Sequence, residues 1–139
     1  MTDQHGIFIG INGGITEMDK VAEFIAEDHT DPMDGVMMGR AAYQNPSILT
    51  QVDEIVFRRQ SAPTDLDQVC KAMMDYAANH IANEGRVHHV TRHMIGLFQG
   101  MPGARRYRQI LSVEASKPDA DEGIIRQAFD SIQSALAAA

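Results

Sequence analysis

Two short apolar runs, Gly6–Asn12 and Gly35–Gly39, each stopped by glycine, bracket one segment of helical spacing. Nothing else in the chain constrains its fold as much. A strand, a helix and a second strand within about 30 residues form a βαβ unit, whose two strands must run parallel. In the first run Ile7, Phe8, Ile9 and Ile11 do not alternate with polar residues, which predicts a strand buried on both faces. Thr16, with Asp19 three residues on, predicts a helix start. Met18, Val21, Ala22 and Ile25 carry that helix to about His29, and Asp31-Pro32-Met33-Asp34 breaks it. A parallel pair leaves two open edges, and no third strand follows in the sequence.

Beyond Arg40 the spacing is helical to the end. Asn45-Pro46 reads as a cap with proline in the first turn, ahead of Ile48, Leu49, Val52, Ile55 and Val56. Arg58–Pro63 has no periodicity and is the expected linker, giving an α/β part over residues 1–58 and an all-α part over 64–139. Thr64 with Asp67 predicts the cap of a helix striped by Leu66, Val69, Cys70, Met73, Ala77 and Ile81, with Gly85 as its terminating glycine. A two-faced helix is expected over 86–99, with Val87, Val90, Met94, Leu97 and Phe98 on one arc and Arg86, His88, His89, Arg92 and His93 on the other. Gly100–Gly103 leads into a short helix carrying Arg105, Arg106 and Arg108, and Asp121 or Glu122 starts the last helix.

The chain has 139 residues, 44% of them hydrophobic and 22% charged, which suits a globular protein of one ordinary domain or two small ones. A complete (β/α)8 barrel, at roughly 250 residues, does not fit. No apolar run reaches the ~18 residues of a membrane span, and Met1–His5 does not open a secretory signal. A lone cysteine, Cys70, makes no internal disulfide, so the reading is cytoplasmic. Cys70 falls on an apolar stripe and reads as structural, as does His80 on the apolar side of the same helix.

Charge is unevenly placed. The net charge is −7, yet Gly85–Val113 contains no Asp or Glu and holds five arginines and three histidines. The seven basic and nineteen acidic residues outside it leave the remainder at −12. Such segregation marks either a footprint for a polyanion or a solvated helix face that happens to be basic. His89 and His93 stand four apart with His88 adjacent, but no acid or cysteine lies near them in sequence, so no metal site is assigned.

Asn12-Gly13-Gly14 ends the first strand and Gly39-Arg40 the second. At the carboxyl ends of parallel strands, glycines let backbone N–H groups approach phosphate oxygens, and an arginine adds a fixed cationic fork. Either glycine pair alone is also explained by a tight turn; two such loops with Arg40 point toward a phosphate cradle.

Three blocks closely resemble the C-terminal part of the A-type tRNA-dihydrouridine synthases. They are Asn12-Gly-Gly-Ile15, Gly35-Val-Met-Met-Gly-Arg-Ala-Ala-Tyr-Gln-Asn-Pro46 and the long block Val87-His-His-Val-Thr-Arg-His-Met-Ile-Gly-Leu-Phe-Gln-Gly-Met-Pro-Gly-Ala-Arg105. The resemblance implies that the strands are the last two of a flavin-binding (β/α)8 barrel and that a helical tRNA-binding domain follows. It assigns Asn12, Gly13, Gly14, Gly39 and Arg40 to the FMN phosphate, and Arg105 and Arg108 to the tRNA backbone. The implied reaction reduces uridine to dihydrouridine in tRNA, with NADPH recharging FMN. The family's catalytic cysteine, on an early barrel loop, has no counterpart here, so no catalytic residue is assigned and this chain alone is expected to be inactive. Self-association through the exposed barrel strands is a further expectation. The rival reading is a non-catalytic helical RNA-binding module that keeps the βαβ unit as a support.

Overall fold

The structure is a computed structural model that describes residues 7–27, 29–60 and 62–139. The Met1–His5 segment, Gly6 at the start of the expected first strand, and Ser61 in the expected linker lie outside the described residues. The chain divides into two compact units, Met1–Pro63 and Thr64–Ala139.

In the first unit β1 (Gly10–Asn12) pairs in parallel with β2 (Gly35–Met37), with Gly10 opposite Gly35, Ile11 opposite Val36 and Asn12 opposite Met37. α1 (Met18–Ile25) makes the crossover. The strands are shorter than the apolar runs because a side chain takes over the ladder. Asp34 Oδ2 accepts from Ile9 N at 2.8 Å while Asp34 N donates to Ile9 O at 2.9 Å. Burial on both faces is not found either. Ile11, Val36 and Met38 pack with Ile15, Met18 and Val21 and with Ile48, Val52, Ile55 and Val56 further on. Ile7 and Phe8 remain 85% and 74% exposed, and Ile9 and Met37 are exposed too, because among the described residues no second layer stands against them.

α1 also differs at both ends from its sequence expectation. Its N-cap is Glu17 rather than Thr16, without a side-chain cap. It stops at Ile25 because the His29 ring holds the backbone of Asp31, closing a turn that is incompatible with another helical turn. After β2 come α2 (Arg40–Gln44), a 3₁₀ helix at Pro46–Gln51 and α3 (Val52–Ile55). Asn45 precedes Pro46 as expected, but its side chain accepts from Ser47 Oγ instead of capping the backbone.

The second unit is helical throughout. α4 (Leu66–Ala82) is capped by Asp65, whose Oδ1 accepts from the backbone N–H of Asp67 and Gln68 at 2.9 and 3.2 Å. The expected Thr64 cap gives way because the neighbouring carboxylate makes charge-assisted bonds where a hydroxyl makes neutral ones. Asp67 is thereby free to join Lys71 at 2.8 Å and Arg126 at 2.6 Å. At the other end Glu84, not Gly85, takes the left-handed conformation, with φ of 62°. Gly85 is needed for a different reason: a Cβ there would lie 2.3 Å from Nε2 of His80.

The helix expected over 86–99 is only partly formed. α5 covers Val87–Thr91, and turns bonded three residues apart follow it to Gly100. Two buried hydroxyls tie this region to residues 107–111. Tyr107 donates to Met94 O at 3.2 Å, and Thr91 donates to Leu111 O at 2.8 Å. The apolar arc survives all the same, with Val87, Val90, Met94 and Phe98 buried.

α6 (Ala104–Ser112) follows, then a 3₁₀ turn at Glu114–Ser116 and α7 (Gly123–Ala137), whose first N–H is accepted by Asp121. Ala104, Tyr107, Ile110 and Leu111 recur at helical spacing, so α6 buries one face. The core centres on three rings packed edge to face. Phe98, Tyr107 and Phe129 have centroids 4.9, 5.3 and 5.9 Å apart.

Gly103 opens α6 with φ of 83°, and a Cβ there would stand 2.8 Å from Ala135 Cβ and 3.1 Å from Ser131 O of α7. Gly103→Ala adds left-handed strain to overpacking and should cost about 2–4 kcal/mol. Gly100, with φ of 82° and open space around it, is the comparison. Gly100→Ala should lose only the backbone share, about 1–2 kcal/mol. Thermal melts of both variants check this, and equal losses would refute the close approach of α6 to α7.

Candidate functional site

β1 and β2 end level with each other, so the loops that leave them emerge side by side. The first, Asn12–Thr16, turns through Gly13 and Gly14 at φ of 114° and 71°. Neither glycine has a heavy atom within 4 Å of where a Cβ would stand, so their backbone faces open space rather than protein. The second loop turns at Gly39 into α2, whose first residue is Arg40. The two loops enclose one cleft of about 440 Å³.

All five residues singled out for phosphate contact, Asn12, Gly13, Gly14, Gly39 and Arg40, line this one cleft. Arg40 is exposed and makes no side-chain hydrogen bond or ion pair among the described residues. Sequence reasoning missed Thr16 and Gln44, which line the same cleft, and assigned Thr16 to a helix cap that it does not form. A hydroxyl two residues after a glycine pair at the end of a strand was the available signal. Met37 is 53% exposed and lines the cleft as well. Exposed amide donors, a hydroxyl and a guanidinium around one opening can hold a multiply charged oxyanion.

The second unit carries the acid-free window. Arg105 and Arg108 are exposed on α6, three positions apart and so on one side of it. Arg106 between them pairs with Glu114, while Arg105 and Arg108 have no such partner among the described residues. Arg86 donates to Ser116 O at 2.8 Å, and Arg92 Nε donates to His93 Nε2 at 3.1 Å.

His80 is not a core residue. It is half-buried, and its Nε2 lies 3.3 Å from Nδ1 of His89. Loss of water around the ring, then the neighbours His88, His80, Arg92 and Arg86, hold His89 below the ordinary imidazole range. Cys70 is fully buried in α4, and burial pushes its thiol up, which makes it inert as a nucleophile or proton donor. Among the described residues no three His, Cys, Asp or Glu side chains are grouped to hold a metal ion, and no helix is long and apolar enough to cross a membrane.

Two glycine-bearing loops around one cleft, followed by a helical unit with a basic face, define a recognisable arrangement. The dihydrouridine synthase (Dus) family model matches residues 2–133, and the chain belongs to that family. Among curated relatives, the tRNA-dihydrouridine(20/20a) synthase of Shewanella oneidensis is 43% identical over 136 residues, which are 98% of this chain and 39% of that protein. The proteins of the same name from Salmonella typhi and Escherichia coli K12 are 44% and 42% identical over 121 residues, 87% of this chain and 35% and 34% of theirs. The chain therefore spans less than two fifths of the length of these relatives.

Proposed function

We propose that the chain is the C-terminal portion of a flavin-dependent tRNA-dihydrouridine synthase, with residues 1–58 as the last βα units of a (β/α)8 barrel and 64–139 as its tRNA-binding domain. The observation that carries this reading is the convergence of Asn12-Gly13-Gly14 and Gly39-Arg40 on one cleft. A barrel often builds a phosphate site from the loops after its seventh and eighth strands. The open backbone at Gly13 and Gly14 fits the phosphate of FMN, since amide N–H groups reach an oxyanion closely only where no side chain intervenes. Arg40 supplies the countercharge, Asn12 and Thr16 offer further hydrogen bonds, and the phosphate is held by this chain's own residues. When bound there, reduced flavin would supply the hydride for uridine reduction, with NADPH as its reductant.

For the proton that must accompany the hydride, we assign no donor among the described residues of this chain. Cys70 is buried in the helical unit and its thiol is raised, so it cannot serve. The chain by itself is accordingly read as binding without turnover. On the helical unit the unpaired Arg105 and Arg108 meet the tRNA backbone, where each guanidinium displaces condensed counterions.

Three measurements test these assignments. Replacing Arg40 by Ala should weaken FMN binding about ten- to a hundredfold, the range for one charge-assisted pair, as read by flavin absorbance or fluorescence. Unchanged affinity would remove Arg40 from the site, and tRNA binding with no FMN binding by the unsubstituted chain would favour the non-catalytic RNA-binding module. Arg105→Ala combined with Arg108→Ala should weaken tRNA binding at every sequence and lower the slope of log K against log salt by about 1–2. Finally, Ile7, Phe8, Ile9 and Met37 leave an apolar rim that a second copy of the chain would cover. Sedimentation equilibrium should then show association as concentration rises, and a monomer throughout would exclude it.

A further inference from the structure

The basic face carries a cluster of imidazoles, and among the described residues no carboxylate acts on the His89 ring within it. At the end of α4, His80 Nε2 meets His89 Nδ1 of α5 at 3.3 Å, the rings edge to face. The ring of His88 lies 4.3 Å from that of His89, and its Nδ1 is buried without a hydrogen-bond partner among the described residues. A hydrogen bond between two imidazoles needs one nitrogen with its lone pair free, so at least one ring of the pair is neutral while the contact stands. Next to it, His93 Nε2 accepts from Arg92 Nε, which again uses a lone pair.

The surroundings of His89 are cationic. α5 presents Arg86, His88 and Arg92 to it and α4 presents His80, with no carboxylate among the groups that act on its ring. α5 also packs against the Glu114–Ser116 turn and α6. In that turn the carboxylate of Glu114 is already held by Arg106 and Gln127, and the charged residues of α6 are Arg105, Arg106 and Arg108. Among the described residues, no free carboxylate therefore stands by to balance added charge on His89.

We propose that this cluster is a proton-linked contact for RNA phosphate: a phosphate seated against Arg92 brings a proton onto the His80–His89 pair, so that the chain takes up a proton as it binds RNA. The inference rests on the reading of the helical unit as RNA-binding and adds a pH dependence to it. The sign follows from the geometry. In the free chain loss of water around the ring, then the neighbouring histidines and arginines, hold His89 below its ordinary range, and an adjacent phosphate raises it. Between those two values the complex binds more protons than the free chain, so affinity rises as pH falls.

The test compares Kd for a tRNA transcript at pH 7.5 and 6.0 and constant ionic strength, using the full chain. One linked proton permits at most tenfold tightening per pH unit, and about five- to tenfold is expected across this interval. His89→Asn keeps a hydrogen-bonding group at the position of Nδ1 but does not titrate. It should remove most of the tightening between the two pH values, whereas His29→Asn in the other unit should retain it. Equal Kd values at the two pH values, or full tightening in His89→Asn, would overturn the proposal. Absence of tRNA binding at both pH values would instead defeat the RNA-binding reading, and this inference with it. Should His89→Asn fail to fold, NMR titration of the wild-type histidine Hε1 signals with and without a short RNA oligonucleotide reads the same effect. An upward move of the His89 midpoint supports the linkage, and an unmoved midpoint refutes it.

Discussion

A phenol taken out of water must find an acceptor for its hydroxyl, and Tyr107 finds the carbonyl of Met94. That bond joins α6 to the turns after α5, in the middle of the ring cluster with Phe98 and Phe129. The same region shows a second bond of the kind, from Thr91 to the carbonyl of Leu111. Together they tie α5 and α6 through buried hydroxyl-to-carbonyl contacts, each expensive to leave unmade. Burial pushes the Tyr107 phenol up, so it stays a neutral donor. With one face of α6 committed inward in this way, Arg105 and Arg108 are turned outward, and the basic surface follows from the packing beneath it.

In the first unit the determining constraint is parallel pairing. Two parallel strands that end level deliver their following loops to the same place, and glycines allow those loops to turn without filling the space between them. The cleft therefore needs no special folding of its own. Its chemistry comes from the few side chains at the rim, chiefly Arg40 and Thr16.

The alternation of elements was legible in the residues, because buried strands and two-faced helices leave strong periodic marks. That Asn12, Gly13, Gly14, Gly39 and Arg40 lie around one opening was legible as well, since parallel strands deliver the loops that follow them to the same end of the sheet. What could not be read were the places where side chains compete with backbone. The 86–99 helix gives way after Thr91 to turns bonded three residues apart, in a stretch tied to α6 by the hydroxyls of Thr91 and Tyr107, the latter reaching Met94 O from thirteen positions away. Thr64 loses the cap to Asp65, and Gly85 answers to the His80 ring rather than to a left-handed backbone. The exposure of Ile7, Phe8 and Ile9 was misread for the opposite reason: their apolar character anticipates a covering layer that the described residues do not supply.

The Asp34 carboxylate has a mechanical consequence. A ladder of three backbone pairs has little to resist slippage by one place, and slippage would put each side chain on the wrong face. Because one rung is a carboxylate grasping the amide of Ile9, and its own amide returns the grasp, only one alignment satisfies both. Asp34 acts as a detent at the far end of the sheet. By stopping the strands from sliding, it keeps the two glycine turns abreast, several residues from the nearest group an anion could touch.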